Sequence, residues 1–216
     1  MREGGAARAV LRHHRGVSDP TPPVAPPDGR PMIVLPDPSL VLLVGAAGAG
    51  KSTFAARRFA SDEIRSSDAL RAALTGDATD QSRNRLVFAL LHRDVERRLG
   101  AGLLTLVDAT NVEWHARRPL LAIARRSGRP CVAIVLDLPL ADVLERNRTR
   151  AGVAVPEDAV ERQHRRLASA LGRDALAGEG FALVHRLAGA EAVERAVVVR
   201  VRPDEPPVSA PPPPSS

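Results

Sequence analysis

The sequence has no tyrosine, one tryptophan, one cysteine and one lysine in 216 residues. Each shortage excludes something. With aromatics at 2%, the core must be built from Leu, Val, Ala and Ile, and recognition of a long single strand by rows of stacked rings is excluded. A lone cysteine rules out an internal disulfide framework, and the place of Cys131 in the apolar run "CVAIVLD" is that of a small buried residue in a reducing compartment. No stretch reaches the ~18 consecutive apolar residues of a membrane helix, and residues 1–30 lack the apolar centre of a signal peptide. A cytoplasmic protein without membrane contact is expected.

Positive charge is abundant but almost wholly arginine, and the formal net charge is +6. Residues 1–38 and 203–216 are dense in proline and read as disordered tails around a single domain, 39–202. The domain holds 26 basic and 19 acidic residues. Such a surplus suits an anionic partner, a nucleotide or nucleic acid, and equally a solvated surface in an arginine-biased sequence.

Short continuous apolar runs at 40–45, 103–108 and 131–137 read as parallel strands covered on both faces, with later strands in "FALVHRL" and "AVVVRV". Amphipathic segments separate them: 51–59, 68–74, 82–102 with Leu86, Leu90, Val95 and Leu99 at helical spacing, 115–126, 140–150 and 156–171. The alternation predicts an α/β fold with a parallel sheet and right-handed crossovers.

The only lysine stands in "GAAGAGKST", between a strand and a helix. This is the G-x-x-x-x-G-K-[ST] pattern of a P-loop. Gly45, Ala46, Ala47, Gly48, Ala49 and Gly50 would curl the backbone so that amides face phosphate oxygens. Lys51, Ser52 and Thr53 would open the helix beneath them. A lysine ammonium is compact enough to bridge two phosphates where arginine's planar fork is not, and the Ser52 hydroxyl suits Mg²⁺. ATP or another nucleoside triphosphate, with Mg²⁺, is the expected cofactor set.

The acceptor side must come from other strand ends, since ligands lie along the carboxyl edge of such sheets. "SSDALR" places Asp68 at the end of a short second strand, 66–68, as a base for an attacking hydroxyl, with Arg71 one helical turn on as an anion clamp; Ser67 or Asp68 also suits the cap of the next helix. Asp108, ending "LVDATN", suits a metal-bound water opposite Ser52, or an ordinary strand-ending turn. Arg146 and Arg150, four apart, suit a helical lid over the nucleotide, or a solvated face.

Taken in order and spacing, these segments, with "VERRLGAGLLTLVDATNVEWHARRPLLAIAR", "VAIVLDLPLADVLERNRTR" and "VPEDAV", resemble the 5′-hydroxyl polynucleotide kinase domain of bacterial polynucleotide kinase-phosphatase RNA-repair proteins, over about 40–187. More distantly they are similar to the phage polynucleotide kinase. The resemblance implies ATP and Mg²⁺ binding by Lys51 and Ser52, general-base catalysis by Asp68, acceptor binding by Arg71, and lid arginines at Arg146 and Arg150. It implies a 5′-hydroxyl nucleic acid as acceptor; the family's proteins are much larger, with phosphatase and ligase-like modules, so the expectations for this chain are work alone, work with separately encoded phosphatase or ligase partners, or reuse for another hydroxyl acceptor. Gly152 and Val153 stand where that family commonly has an acidic-basic pair. A small-molecule hydroxyl kinase of the same fold, or a non-catalytic nucleotide-binding module, are the competing expectations.

Overall fold

The computed structural model describes residues 28–77, 80, 82–150 and 154–202. The tails expected at 1–27 and 203–216, and Gly152 and Val153, lie outside the described residues. The main sheet has five parallel strands in the order β3 (Ile64–Ser66), β4 (Thr105–Asp108), β2 (Leu40–Val44), β5 (Cys131–Asp137), β6 (Leu183–Ala188). This is the predicted α/β P-loop fold. Every residue of β2 is buried, as a central strand covered on both faces must be.

Helices cover both faces. One apolar layer joins Val41, Leu43, Ile134, Leu136 and Leu187 to helices α1 (Lys51–Arg58), α5 (Leu140–Arg148) and α8 (Ala190–Arg195) through Phe54, Val143 and Val193. The other joins Leu40, Leu42, Val44, Val107 and Val135 to α3 (Asn84–Gly100), α4 (Trp114–Arg126), α6 (Glu157–Gly172) and α7 (Ala175–Gly178). The short α2 (Ser67–Thr75) packs on α3.

Three expectations need correction. Residues 32–36, placed in a disordered tail, form β1 (Met32–Pro36), which pairs in parallel with β7 (Val197–Val201) as a separate two-stranded sheet. The prolines around it disguised a period-2 strand whose Ile33 and Leu35 are completely buried. On α3 the buried face runs through Val87, Leu91, Val95 and Leu99, so Leu86 is left exposed; both registers have helical spacing, and only the packing against β4 and α4 chooses between them. Asp68 lies in the first turn of α2 rather than at a strand end. Ser66 is the cap, its hydroxyl accepting the Ala69 amide at 3.3 Å.

Candidate active site

The chain leaves β2 at Val44 and curls over the start of α1. Gly48 and Gly50 have φ of +85° and +87°, which L side chains rarely adopt. A Cβ on Gly48 would also stand 2.1 Å from the Val143 carbonyl of α5. Gly48→Ala should therefore destabilise the protein by about 2–3 kcal/mol, read as a drop of roughly 4–12 °C in Tm.

Lys51 bends back along the loop, its Nζ donating to the Gly45 and Ala46 carbonyls at 2.9 and 2.8 Å. Burial pulls its ammonium down to about 8; the carboxylates of Asp108 and Asp68 oppose that fall, and Arg150 adds to it. Asp108, at the carboxyl end of β4, is itself buried and pushed up by that burial, while the Ser52 hydroxyl and Lys51 pull it down. The register of β3 on β4 sets Ser66 opposite Asp108, which brings the start of α2 alongside. The sequence-predicted residues Lys51, Ser52, Asp68, Asp108 and Arg150 thus fall within electrostatic reach of one another. Arg146 joins them over the loop, its Nη1 3.5 Å from where a Gly50 Cβ would stand.

The Lys51 ammonium has a consequence for pH. Between about 8 and the ordinary value of 10.5, the unfolded chain holds this proton and the folded chain does not, so the contribution of Lys51 to stability rises with pH across that window. Binding of an anionic phosphate needs the charged form and runs the other way. The kcat/KM for a nucleoside triphosphate should fall as pH rises through about 8, approaching tenfold per unit; a flat profile from pH 7 to 10 would contradict the assignment.

Asp68 and Arg71 are partners rather than neighbours. Asp68 Oδ1 accepts from Arg71 Nη1 at 2.6 Å, and the buried guanidinium also donates from Nε and Nη2 to Asn84 Oδ1 at 3.2 and 3.1 Å. Arg71 thereby orients a carboxylate that stays open to solvent.

Some contacts of the site had no signal in the sequence. The Ala47 amide donates to Gln163 Oε1 of α6 at 2.8 Å, joining the P-loop to a helix 116 residues away. Asn111 adopts a left-handed backbone, with φ of 49°, and its Nδ2 donates to Leu43 O at 2.9 Å; the Gly45 amide donates to Thr110 O at 3.1 Å. Arg117, 2% exposed, holds this segment through Asn111 O at 2.8 Å and is itself paired with Glu179. The loop after β4 is thus a brace for the phosphate loop. Beyond α5, the Asn147 amide group closes a pair of bonds with the Val155 backbone, at 2.7 and 3.1 Å, which pins the start of α6 to the end of α5.

A glycine loop between a central parallel strand and a helix, with a lysine inside it and a carboxylate on the adjacent strand, is the arrangement of a P-loop nucleotide site. The residue pattern agrees: 40–171 match the family described as an AAA domain. The chain belongs to that family. Among solved structures, this AAA domain superposes on a chain of the Pnkp1/Rnl/Hen1 RNA repair complex with a TM-score of 0.55 at 24% identity, covering 63% of this chain and 46% of the other. On a chain of the AvrRxo1-ORF1:-ORF2 structure with ATP it gives a TM-score of 0.56 at 17% identity, covering 76% and 56%. At these identities the likeness establishes a shared P-loop fold. The chain spans about half the length of either neighbour. No curated protein matches it.

The Ser52 hydroxyl and the Asp108 carboxylate are hard oxygen donors brought to one place, a set that fits Mg²⁺. Among the described residues, no group of three or more His, Cys, Asp or Glu side chains forms a denser metal site. Nor is any helix among the described residues long and apolar enough to cross a membrane.

Proposed function

We propose that this AAA domain is an ATP-dependent kinase that transfers the γ-phosphate to the 5′-hydroxyl end of RNA or DNA, in nucleic-acid repair. The observation that carries the reading is the position of Asp68: an open carboxylate, oriented by Arg71, within electrostatic reach of the P-loop lysine and of Asp108. A hydroxyl brought between Asp68 and the γ-phosphate would lose its proton to Asp68 as its oxygen forms the new P–O bond. The bond from phosphorus to the β–γ bridging oxygen breaks, and ADP leaves with that electron pair.

Lys51 would leave the Gly45 and Ala46 carbonyls and set its ammonium against the β- and γ-phosphate oxygens. Arg146 and Arg150 would close over the same charge and keep out water, which would otherwise compete as acceptor. Ser52 and Asp108 would hold Mg²⁺, whose contribution is to neutralise charge on the phosphate oxygens. The basic surplus of the domain suits a polyanionic acceptor.

The test is transfer of label from γ-labelled ATP to a 5′-hydroxyl oligonucleotide in the presence of Mg²⁺, beside the same oligonucleotide already 5′-phosphorylated. Label on the first and none on the second is expected. Absence of label on the first, with label passed instead to sugars or nucleosides, would favour a small-molecule hydroxyl acceptor, whereas slow hydrolysis with no acceptor product would favour a nucleotide-binding module.

A further inference from the structure

Few large apolar side chains are exposed among the described residues, and their distribution is uneven. Leu103, 45% exposed, lies in the turn between α3 and β4, at the amino edge of the sheet. Leu86 and Trp114, 44% and 47% exposed, are at the opposite edge. α3 ends just before β4 begins, so its first turn, with Leu86, lies at the carboxyl edge. α4 begins six residues after Asp108 closes β4, and Trp114 is its first residue. The two helices pack side by side, and Arg71 reaches Asn84, the first residue of α3. Leu86, two residues past Asn84, thus lies close to the Asp68–Arg71 pair, and Trp114 stands at the same carboxyl edge of the sheet.

Its setting is cationic. Arg85 adjoins Leu86, and Arg118 lies one turn beyond Trp114 on the same helix face; both are exposed, and among the described residues neither enters an ion pair. The acid next to the indole, Glu113, is taken up by Arg166 of α6. Phe54, Phe59 and Phe181 are buried and Phe88 is half-buried beside His92, so among the described residues Trp114 is the one broadly exposed apolar ring, with the exposed His115 imidazole next to it in the chain. An indole left in water one helical turn from Arg118, on the sheet edge that also carries the Asp68 carboxylate, suits a flat aromatic group attached to a phosphodiester.

We propose that the Trp114 indole is the stacking surface for the nucleobase of the acceptor's 5′-terminal nucleotide, with Arg118 and Arg85 facing the phosphates that follow it. The proposal rests on the polynucleotide reading above and narrows it. One ring accommodates one base, and every base offers a π-face, so recognition here is confined to the terminal nucleotide and indifferent to its identity.

Because Trp114 is the only tryptophan, the protein's indole fluorescence reports this position alone. Titration of the unmodified protein with a 5′-hydroxyl oligonucleotide should quench the emission saturably, and the same strand with an abasic 5′-terminal residue should quench it far less. In transfer assays Trp114→Ala should raise the acceptor KM about tenfold, within the range that loss of one stacked base gives, and Trp114→Phe should recover most of that. On the abasic strand the parent and Trp114→Ala should have the same KM. Equal KM values for parent and Trp114→Ala on the intact strand, equal penalties on both strands, or equal quenching by both strands would overturn the stacking role while leaving the kinase reading intact. If the parent phosphorylates no 5′-hydroxyl oligonucleotide, the polynucleotide reading fails and this inference falls with it. Should Trp114→Ala not fold, the abasic comparison on the parent and Trp114→Phe decides the matter.

Discussion

Asp68→Asn should slow phosphate transfer to a 5′-hydroxyl oligonucleotide by about 10²–10⁴-fold, the range a positioned general base contributes, with a far smaller change in the Kd for ATP. The variant keeps the shape of the side chain and an oxygen for the 2.6 Å bond from Arg71 Nη1, so the carboxylate's orientation is not what is being removed. What is removed is the capacity to take a proton. Single-turnover transfer with saturating ATP separates the chemical step from binding. A rate within threefold of the parent would rule Asp68 out as the base, whatever the acceptor.

Lys51→Arg should be at least as damaging, with kcat/KM for ATP falling by about 10³-fold or more, as for removal of a cation that stabilises the transferring phosphoryl group. The substitution keeps the charge. It changes the shape: the lysine Nζ fits between two loop carbonyls at 2.8 and 2.9 Å, a space suited to a point charge, whereas a guanidinium presents a planar fork of N–H donors in a loop already closed against α5 at Gly48. In a protein whose other thirty basic residues are arginines, retention of activity by Lys51→Arg would show that the lone lysine reflects composition and not chemistry.

What could be read in the sequence was whatever is contiguous. The strand, glycine loop and helix of 40–58 occupy one unbroken segment, and continuous apolar runs flagged β4 and β5 because a strand buried on both faces leaves no alternation to interpret. "SSDALR" pointed to Asp68 and Arg71, yet not to their pairing, which depends on rotamers and on Asn84 arriving from α3. The spacing of Arg146 and Arg150 gave a common helix face, but α5 ends at Arg148: Arg146 lies on the helix that crosses Gly48, whereas Arg150 follows its end. Gln163 on the Ala47 amide, and Glu179 on Arg117, join residues 116 and 62 positions apart; no local pattern encodes them. β1 was hidden because its proline-framed residues are apolar for the sake of a partner more than 150 residues downstream.

That pairing has a mechanical side. In β1 and β7, Met32 stands beside Val197 and Pro36 beside Val201, so the strands run the same way. The chain enters the pair at one end and leaves it at the other. Tension applied through residues 32 and 201 would pull the strands past each other along their length, loading the rungs of the ladder together instead of opening them one at a time. The Arg200 side chain, bonded to Glu63 at 2.6 and 2.8 Å, would carry part of that load into the segment just before β3. A fold held shut by its outermost strands in shear should yield to stretching in one abrupt event, with the phosphate loop intact until the clasp gives way.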